Sequence, residues 1–389
     1  MGELPFVEAL PFAKAMLACE PDDDKYIYPY LSFLDKDDAI EFLKTRLDER
    51  PILVNWHRVY QTYMETFRSS HDLEEEYSGY LKKESGNNAL HYLLSRILTD
   101  PKRAKELLLK SIKGNEPCPY GYYGLAYQEL SDGDFEQALY YAKKAVEASP
   151  KHETFNYILE AAMLAQKEYM PLVEKKRLEQ EMYPYNGELV EQEICLLCGL
   201  GDIEGAKEAI SKYVEFLKSE DEETAAVWDT YLKGVIAYCL GDLAEYGASI
   251  REIDNPFYAF ENAFINKKFN DAFQIADENN LVGLYYLLLY LAQNNPGSDV
   301  LETAIDMYKA GDATDRLVAD YLSGKKDFVL DDVKSIVILP QEKCVIMATF
   351  GKLYEEYQEE LYAFARKLNY GTSFPSYFID EITSKGEAW

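Results

Sequence analysis

Histidine and cysteine are scarce in this sequence of 389 residues, which contains four His and six Cys. The histidines lack the spacing of a metal-binding helix, and the Cys-x2-Cys pair at Cys195 and Cys198 has no second pair with it. The glycine-rich loops that bind phosphate are also missing. We therefore predict no metal site and no cofactor, with Cys195 and Cys198 as thiols in the interior or lining a groove.

Signs of secretion are missing as well. The sequence contains no Asn-x-Ser/Thr glycosylation site, and its few cysteines do not form a disulfide framework. The first twenty residues lack a basic start and are interrupted by Pro5 and Pro11, unlike a secretory signal. These features predict a cytoplasmic protein.

Basic residues are few relative to acidic ones. The chain has 40 Lys and Arg against 69 Asp and Glu, which gives a formal net charge of −29. Such a chain repels phosphate backbones and anionic lipids, and its most apolar segment, 281–292, is too short to cross a bilayer. We therefore predict that the partner is neither nucleic acid nor a membrane.

What the sequence does have is a period. Ala104 and Ala138 are 34 residues apart, and Pro150 and Pro184 are again 34 apart. A fixed interval of this length is typical of a helix–turn–helix unit that stacks on its neighbours. The dipeptide Gly133-Asp134 predicts the turn within one unit, because Gly accepts the left-handed conformation and Asp caps the next helix.

The repeat over residues 119–152 resembles the tetratricopeptide repeat (TPR) family. The family pattern Trp-x2-Leu-Gly-x2-Tyr, Ala-x3-Phe, Pro is matched here by Tyr122-x2-Leu125-Ala126-x2-Glu129, Ala138-x3-Ala142 and Pro150. Four positions depart from the pattern: Tyr122, Ala126, Glu129 and Ala142. The resemblance implies an all-α fold, a right-handed α-solenoid or superhelix of antiparallel helix pairs.

The same pattern predicts how the chain is divided. We expect an N-terminal lead segment over 1–19, TPR-like repeats over 20–314 that are clearest over 85–220, and a C-terminal helical cap region with a tail over 315–389. From Gly371 onward we expect a trailing loop.

Candidate contact residues lie opposite the side on which the first helix of repeat 119–152 packs. Tyr120, Tyr123 and Tyr127 fall at i, i+3 and i+7 there. We call this surface, together with the equivalent positions of the other repeats, the first-helix face. In the family that the chain resembles, it lines the inside of the superhelix, where a peptide is held. The predicted partner-binding residues are Tyr120, Tyr123, Tyr127, Tyr157, Glu188 and Glu191.

The same register places Arg96 before these residues and Trp228, Tyr231 and Tyr238 after them. Tyrosines offer wide contact area, and the glutamates favour Lys or Arg on the ligand. The alternative is that some of the tyrosines only pack between neighbouring repeats.

These observations predict a non-enzymatic adaptor or scaffold that binds a protein or peptide, and the glutamates favour a partner with basic residues. Two other functions stay open. The first is an all-helical hydrolase with an acidic pocket, whose closed barrel would bring first and last helices together. The second is a regulatory protein that senses a peptide.

Overall fold

The computed structural model describes residues 6–68, 71–294, 296–370 and 374–385. Within these ranges all regular structure is helical, and no β-strand occurs there. Helices adjacent in the chain pack against one another in pairs. The predicted all-α fold class is therefore confirmed.

The chain divides into two compact units. Unit 1 contains residues 1–125 and 144–150, and unit 2 contains residues 126–143 and 151–389. The division passes through two helices, so that each unit includes a part of both.

Nine described helices, joined by short connections, precede or cross the division between the units. They are α1 (Phe6–Cys19), α2 (Asp24–Leu31), α3 (Lys36–Lys44), α4 (Val54–Phe67), α5 (Leu73–Lys83), α6 (Asn88–Ile97), α7 (Pro101–Ser111), α8 (Pro119–Asp132) and α9 (Phe135–Ala148).

The remaining described helices all belong to unit 2, together with a 3-10 turn at Glu355–Tyr357. They are α10 (Glu153–Ala165), α11 (Tyr169–Met182), α12 (Gly187–Gly199), α13 (Ile203–Lys218), α14 (Glu222–Cys239), α15 (Leu243–Ile250), α16 (Pro256–Ile265), α17 (Phe269–Glu278), α18 (Gly283–Ala292), α19 (Ser298–Ala310), α20 (Ala313–Leu322), α21 (Leu330–Lys334), α22 (Pro340–Leu353), α23 (Gln358–Leu368) and α24 (Phe374–Lys385).

The sequence period is present in the backbone. The first helices of successive pairs, α4, α6, α8, α10, α12, α14 and α16, begin at residues 54, 88, 119, 153, 187, 222 and 256. Most of these steps are 34 or 35 residues. Fully buried alanines such as Ala162 and Ala206 in unit 2 allow the helix axes to approach closely.

The turns between paired helices recur with the same period of 34 residues. Gly133 has a φ of 72°, Lys167 one of 58° and Gly201 one of 76°, all in the left-handed region. Asp134 accepts a hydrogen bond from the backbone amide of Gln137 at 3.2 Å, as expected of a helix cap. Left-handed residues 34 positions apart therefore end three consecutive first helices.

The helix α22 is the most deeply enclosed element of unit 2. Ten of its fourteen residues are buried, and it packs against α18, α23 and α24. Its Lys343 is fully buried and donates from Nζ to the carbonyl oxygen of Ser131 at 2.9 Å and to that of Lys334 at 2.7 Å. Ser131 Oγ also accepts from the backbone amide of Ile338 at 3.1 Å. Residues more than 200 positions apart thus meet within unit 2.

The prediction of a trailing loop from Gly371 onward is wrong for residues 374–385, which form α24. Phe378 and Ile379 of this helix are fully buried. Residues 371–373 lie outside the described ranges. The glycine and the proline near it favour a loop, but a proline is tolerated in the first turn of a helix, and α24 begins at Phe374, one residue before Pro375.

None of the helices that the structure describes is both long and apolar enough to cross a membrane.

Candidate functional site

Two glutamates of unit 2 are hydrogen-bonded to tyrosine hydroxyls on neighbouring helices. Tyr231 on α14 donates to Oε2 of Glu191 on α12 at 2.8 Å, and its hydroxyl lies 2.8 Å from that of Tyr258 on α16. One turn further along α16, Glu261 accepts at Oε2 from the hydroxyl of Tyr246 at 2.6 Å. We call these five residues the glutamate–tyrosine cluster.

Helix caps fix the three first helices that carry most of this cluster. The side chains of Asn186, Asp221 and Asn255 each accept a hydrogen bond from an amide in the first turn of α12, α14 and α16. Pro256 provides the first residue of α16. Because each cap sets where its helix begins, it also sets which side chains face the neighbouring first helix.

Burial dominates the electrostatics of the cluster. It raises the pKa of Glu191 above its ordinary value, with a further increase from the charge of Glu188. Burial raises the pKa of Glu261 to about 7, and the charge of Glu191 adds to this effect. The pKa values of Tyr231 and Tyr246 lie well above the ordinary value because of burial and the adjacent glutamates. The hydroxyls therefore remain proton donors at neutral pH.

The two carboxylates have no cationic partner in the part of the chain that the structure describes. Glu191 and Glu261 accept only from tyrosine hydroxyls there, and no lysine or arginine contributes to their pKa values. Both side chains are half-buried. A half-buried carboxylate without a counter-charge is costly, and a cation supplied by a ligand would reduce that cost.

The predicted residues that belong to unit 2 differ in exposure. Tyr157 is 55% exposed, Glu188 is exposed at the start of α12, and Tyr127 and Glu191 are half-buried. Only Glu191 is part of the glutamate–tyrosine cluster. Glu188 lies close enough to Glu191 to raise its pKa, and both side chains retain surface that a ligand can reach.

The other two predicted residues belong to unit 1. Tyr120 is only 8% exposed; its ring centroid lies 5.5 Å from that of Tyr92, and the guanidinium of Arg58 lies 5.2 Å from it. Tyr123 is half-buried, and its charge influences the pKa of Arg58. Tyr120 therefore mainly packs between helices, which is the alternative raised by the sequence.

Sequence reasoning missed three members of the cluster, namely Tyr246, Tyr258 and Glu261. The period is irregular for α15, which carries Tyr246 and begins 40 residues after α13 instead of 34, whereas α16, which carries Tyr258 and Glu261, begins 34 residues after α14. The dipeptide Asn255-Pro256 was the available signal, since it marks the start of α16 independently of the period.

Three thiols lie beside the cluster. Cys239 Sγ is 3.9 Å from Cys195 Sγ. The pKa of Cys239 is raised to about 12 by its hydrogen bond to Cys195 and by burial, and that of Cys198 is raised by its contact with Cys239. The thiols of Cys198 and Cys239 therefore stay protonated and unreactive at neutral pH. Across the described ranges, no group of three or more His, Cys, Asp or Glu side chains is arranged to hold a metal ion.

Comparison with known proteins gives no family. No protein-family model matches the chain, and no curated protein matches it. The resemblance to the TPR family therefore rests on the residue pattern alone.

Proposed function

We propose that this chain is a non-enzymatic adaptor or scaffold that binds a protein or peptide on the first-helix face of TPR-like repeats, which form a right-handed superhelix. We place this role in the cytoplasm, because the sequence has few cysteines and no glycosylation site. The observation that carries the proposal is the pair Glu191 and Glu261, two half-buried carboxylates that accept hydrogen bonds only from tyrosine hydroxyls among the residues that the structure describes.

The chemistry of the cluster favours a ligand with Lys or Arg. A cationic side chain that approaches Glu191 and Glu261 gains charge-assisted hydrogen bonds in a partly desolvated setting. The ring of the half-buried Tyr258 offers a flat surface for the methylene groups of such a side chain. The exposed Glu188 adds negative charge at the edge and favours the approach of a basic segment.

The test is the binding of an acetylated lysine–alanine peptide to the full chain at about 0.15 M salt, measured by fluorescence anisotropy. We expect Glu191→Gln and Glu261→Gln each to weaken binding about tenfold. The matched control is Glu204→Gln, because Glu204 is an exposed carboxylate that pairs with Lys207 on α13. Equal weakening by all three variants would show that only the net charge attracts the peptide.

The partner itself can be sought by affinity capture from the native host followed by mass spectrometry. A true partner should be lost with Glu191→Gln and retained with Glu204→Gln. Retention by both variants would count against the glutamate–tyrosine cluster as its site.

A second candidate is the all-helical hydrolase. One feature favours it: the pKa of Glu261, about 7, suits a general acid. The test is hydrolysis of a panel of aryl glycosides, which an enzyme using this residue would lose in Glu261→Gln. Absence of turnover in the wild-type chain would reject the hydrolase and leave binding as the remaining proposal.

A further inference from the structure

Unit 1 contains two arginines of the first-helix face that lie beside tyrosine rings. The guanidinium of Arg58 on α4 lies over the ring of Tyr120 at 5.2 Å. Tyr120 packs against Tyr92 on α6 with 5.5 Å between the ring centroids, and Arg96 follows Tyr92 by one helical turn. We call these four residues the arginine–tyrosine cluster.

Neutral side chains of α4 orient both guanidinium groups. Arg58 donates from Nη1 to Oδ1 of Asn55 at 2.8 Å. Arg96 donates from Nη1 to Oε1 of Gln61 at 2.9 Å and from Nη2 to Oγ1 of Thr62 at 3.1 Å. Because residues 58 and 61 are about one turn apart on one helix, the two cations are held on the same side of α4.

Neither of these arginines has an ion pair with any residue that the structure describes, although the chain is strongly acidic. The other arginines of unit 1 each pair with a carboxylate: Arg46 with Glu49, Arg50 with Glu84, Arg68 with Asp37 and Arg103 with Glu74. Arg58 and Arg96 are thus the exceptions in unit 1.

Arg58 is also the arginine for which the absence of an ion pair is most costly. It is half-buried, and its Nε–H is enclosed without an acceptor. The charge of Asp24 raises the pKa of Arg58 and the charge of Arg58 lowers that of Asp22, but neither aspartate forms an ion pair with Arg58. Asp22 accepts instead from the backbone amide of Trp56 at 2.9 Å, and burial raises its pKa to about 6.

We infer that Arg58 and Arg96 form a binding site for a carboxylate, of the kind that acidic side chains of a peptide carry. A guanidinium stacked on a ring presents its planar edge, which matches the two oxygens of a carboxylate. Arg58 Nη2 makes no hydrogen bond to any described residue and is available as such a donor. The exposed Arg96 can supply the second cation. This inference does not depend on the proposed function of unit 2, because it uses other residues and the opposite charge.

The experiment uses the full chain labelled with 15N-arginine, and follows the Nε–H resonances by NMR while three probes are added in turn. The probes are an acetylated triglutamate amide, acetylated triglycine with a free terminal carboxylate, and inorganic phosphate. We expect the triglutamate amide to shift the Arg58 and Arg96 resonances to saturation. Acetylated triglycine should shift the same resonances more weakly, since it carries one carboxylate in place of three.

Three variants complete the design. Arg58→Gln and Arg96→Gln should each weaken binding of the triglutamate amide at least about tenfold. Arg96 is exposed, so Arg96→Gln keeps the test decisive if Arg58→Gln fails to fold. Arg103→Gln, which removes an ion-paired arginine of the same unit, should change the affinity by less than about twofold.

Several outcomes would overturn the inference. They are the absence of a saturable shift with any probe, saturation by phosphate alone, and equal losses in Arg96→Gln and Arg103→Gln. Saturation by acetylated triglycine with no response to the triglutamate amide would overturn the assignment to acidic side chains.

Discussion

In unit 1 the first helices place two arginines beside tyrosine rings, whereas in unit 2 they place two glutamates beside tyrosine hydroxyls. Arg58 has neutral acceptors and no carboxylate partner, and Glu191 has neutral donors and no cationic partner, among the described residues. The helix pairs are built alike in both units. The difference teaches that one scaffold can present either charge when tyrosine and amide side chains hold the ionised group.

The net charge of the chain does not reveal this difference. A value of −29 suggests a uniformly acidic surface, yet unit 1 has a local site of positive charge. Recognition depends on the few charges that the fold leaves without a partner and partly removes from water, more than on the many that surface ion pairs neutralise.

The largest effect is expected when the arginine site of unit 1 is given a negative charge, like that of the glutamates in unit 2. Arg58→Glu would place a half-buried carboxylate near Asp22 and Asp24. We expect it to lower the free energy of unfolding by about 3 kcal/mol, measured by urea denaturation followed by circular dichroism. Arg103→Glu, at an exposed position beside Glu74, should cost less than about 1 kcal/mol. Similar losses at both positions would show that the site of Arg58 disfavours a negative charge no more than an exposed position does.

A second test asks whether the buried Lys343 of unit 2 acts as a counter-charge for Glu261. Lys343 donates to oxygens of Ser131 and Lys334, and burial lowers its pKa to about 8. Lys343→Met should lower the free energy of unfolding by about 2 kcal/mol, because these carbonyl oxygens lose their donor. The pKa of Glu261, followed by 13C NMR of its carboxyl group, should stay unchanged. A rise of that pKa would show that Lys343 neutralises the cluster.

The third test uses pH to sharpen the description of Glu261. Its pKa of about 7 in the folded chain exceeds the ordinary 4.5, so the unfolded chain releases this proton first as pH rises. The contribution of Glu261 to stability is therefore full below pH 4.5 and declines as pH rises toward 7. Glu261→Gln should raise the free energy of unfolding at pH 8 by about 1 to 2 kcal/mol and leave it unchanged at pH 4.5.

Thermal unfolding recorded across this pH range, with Glu204→Gln as the control, measures the effect. If the stability of wild type and of Glu261→Gln changed with pH in parallel, the pKa of Glu261 would not be raised in the folded chain.

The smallest expected effect concerns the tyrosine hydroxyl that connects three first helices of unit 2. Tyr231→Phe removes the donor to Glu191 and the contact with Tyr258. We expect a loss of about 1 kcal/mol and a further rise in the pKa of Glu191. Urea denaturation and carboxyl NMR measure the two quantities. Tyr157→Phe, at an exposed position, should change neither.

Much of the fold follows from local signals in the sequence. Gly133 and Gly201 adopt left-handed turns, which their residue type alone predicts. Lys167 stands where the neighbouring repeats have Gly133 and Gly201, yet it adopts a φ of 58° at the same place in the repeat. This turn therefore follows from the register of the flanking repeats and not from the residue itself.

The candidate sites were only partly predictable. Glu191 and Tyr231 were visible because they lie on regularly spaced first helices. Glu261 lies on α16, which keeps this spacing, but its partner Tyr246 lies on α15, which begins 40 residues after α13 instead of 34. Arg58 and Arg96 are 38 residues apart and do not form a basic run. They meet because α4 and α6 stack, and their lack of a counter-charge can be recognised only when all neighbours are known.

The contact of Lys343 with Ser131 also constrains how the chain is made. A ribosome releases a protein from its N-terminus at about 5 to 20 residues per second, so Ser131 emerges at least about ten seconds before Lys343. The contacts of the arginine–tyrosine cluster join residues at most 62 positions apart, and they can form while translation continues. Unit 2, by contrast, must wait for α22, and until then the carbonyl of Ser131 lacks its lysine donor. Chaperones that protect nascent chains should therefore remain on unit 2 longer than on unit 1.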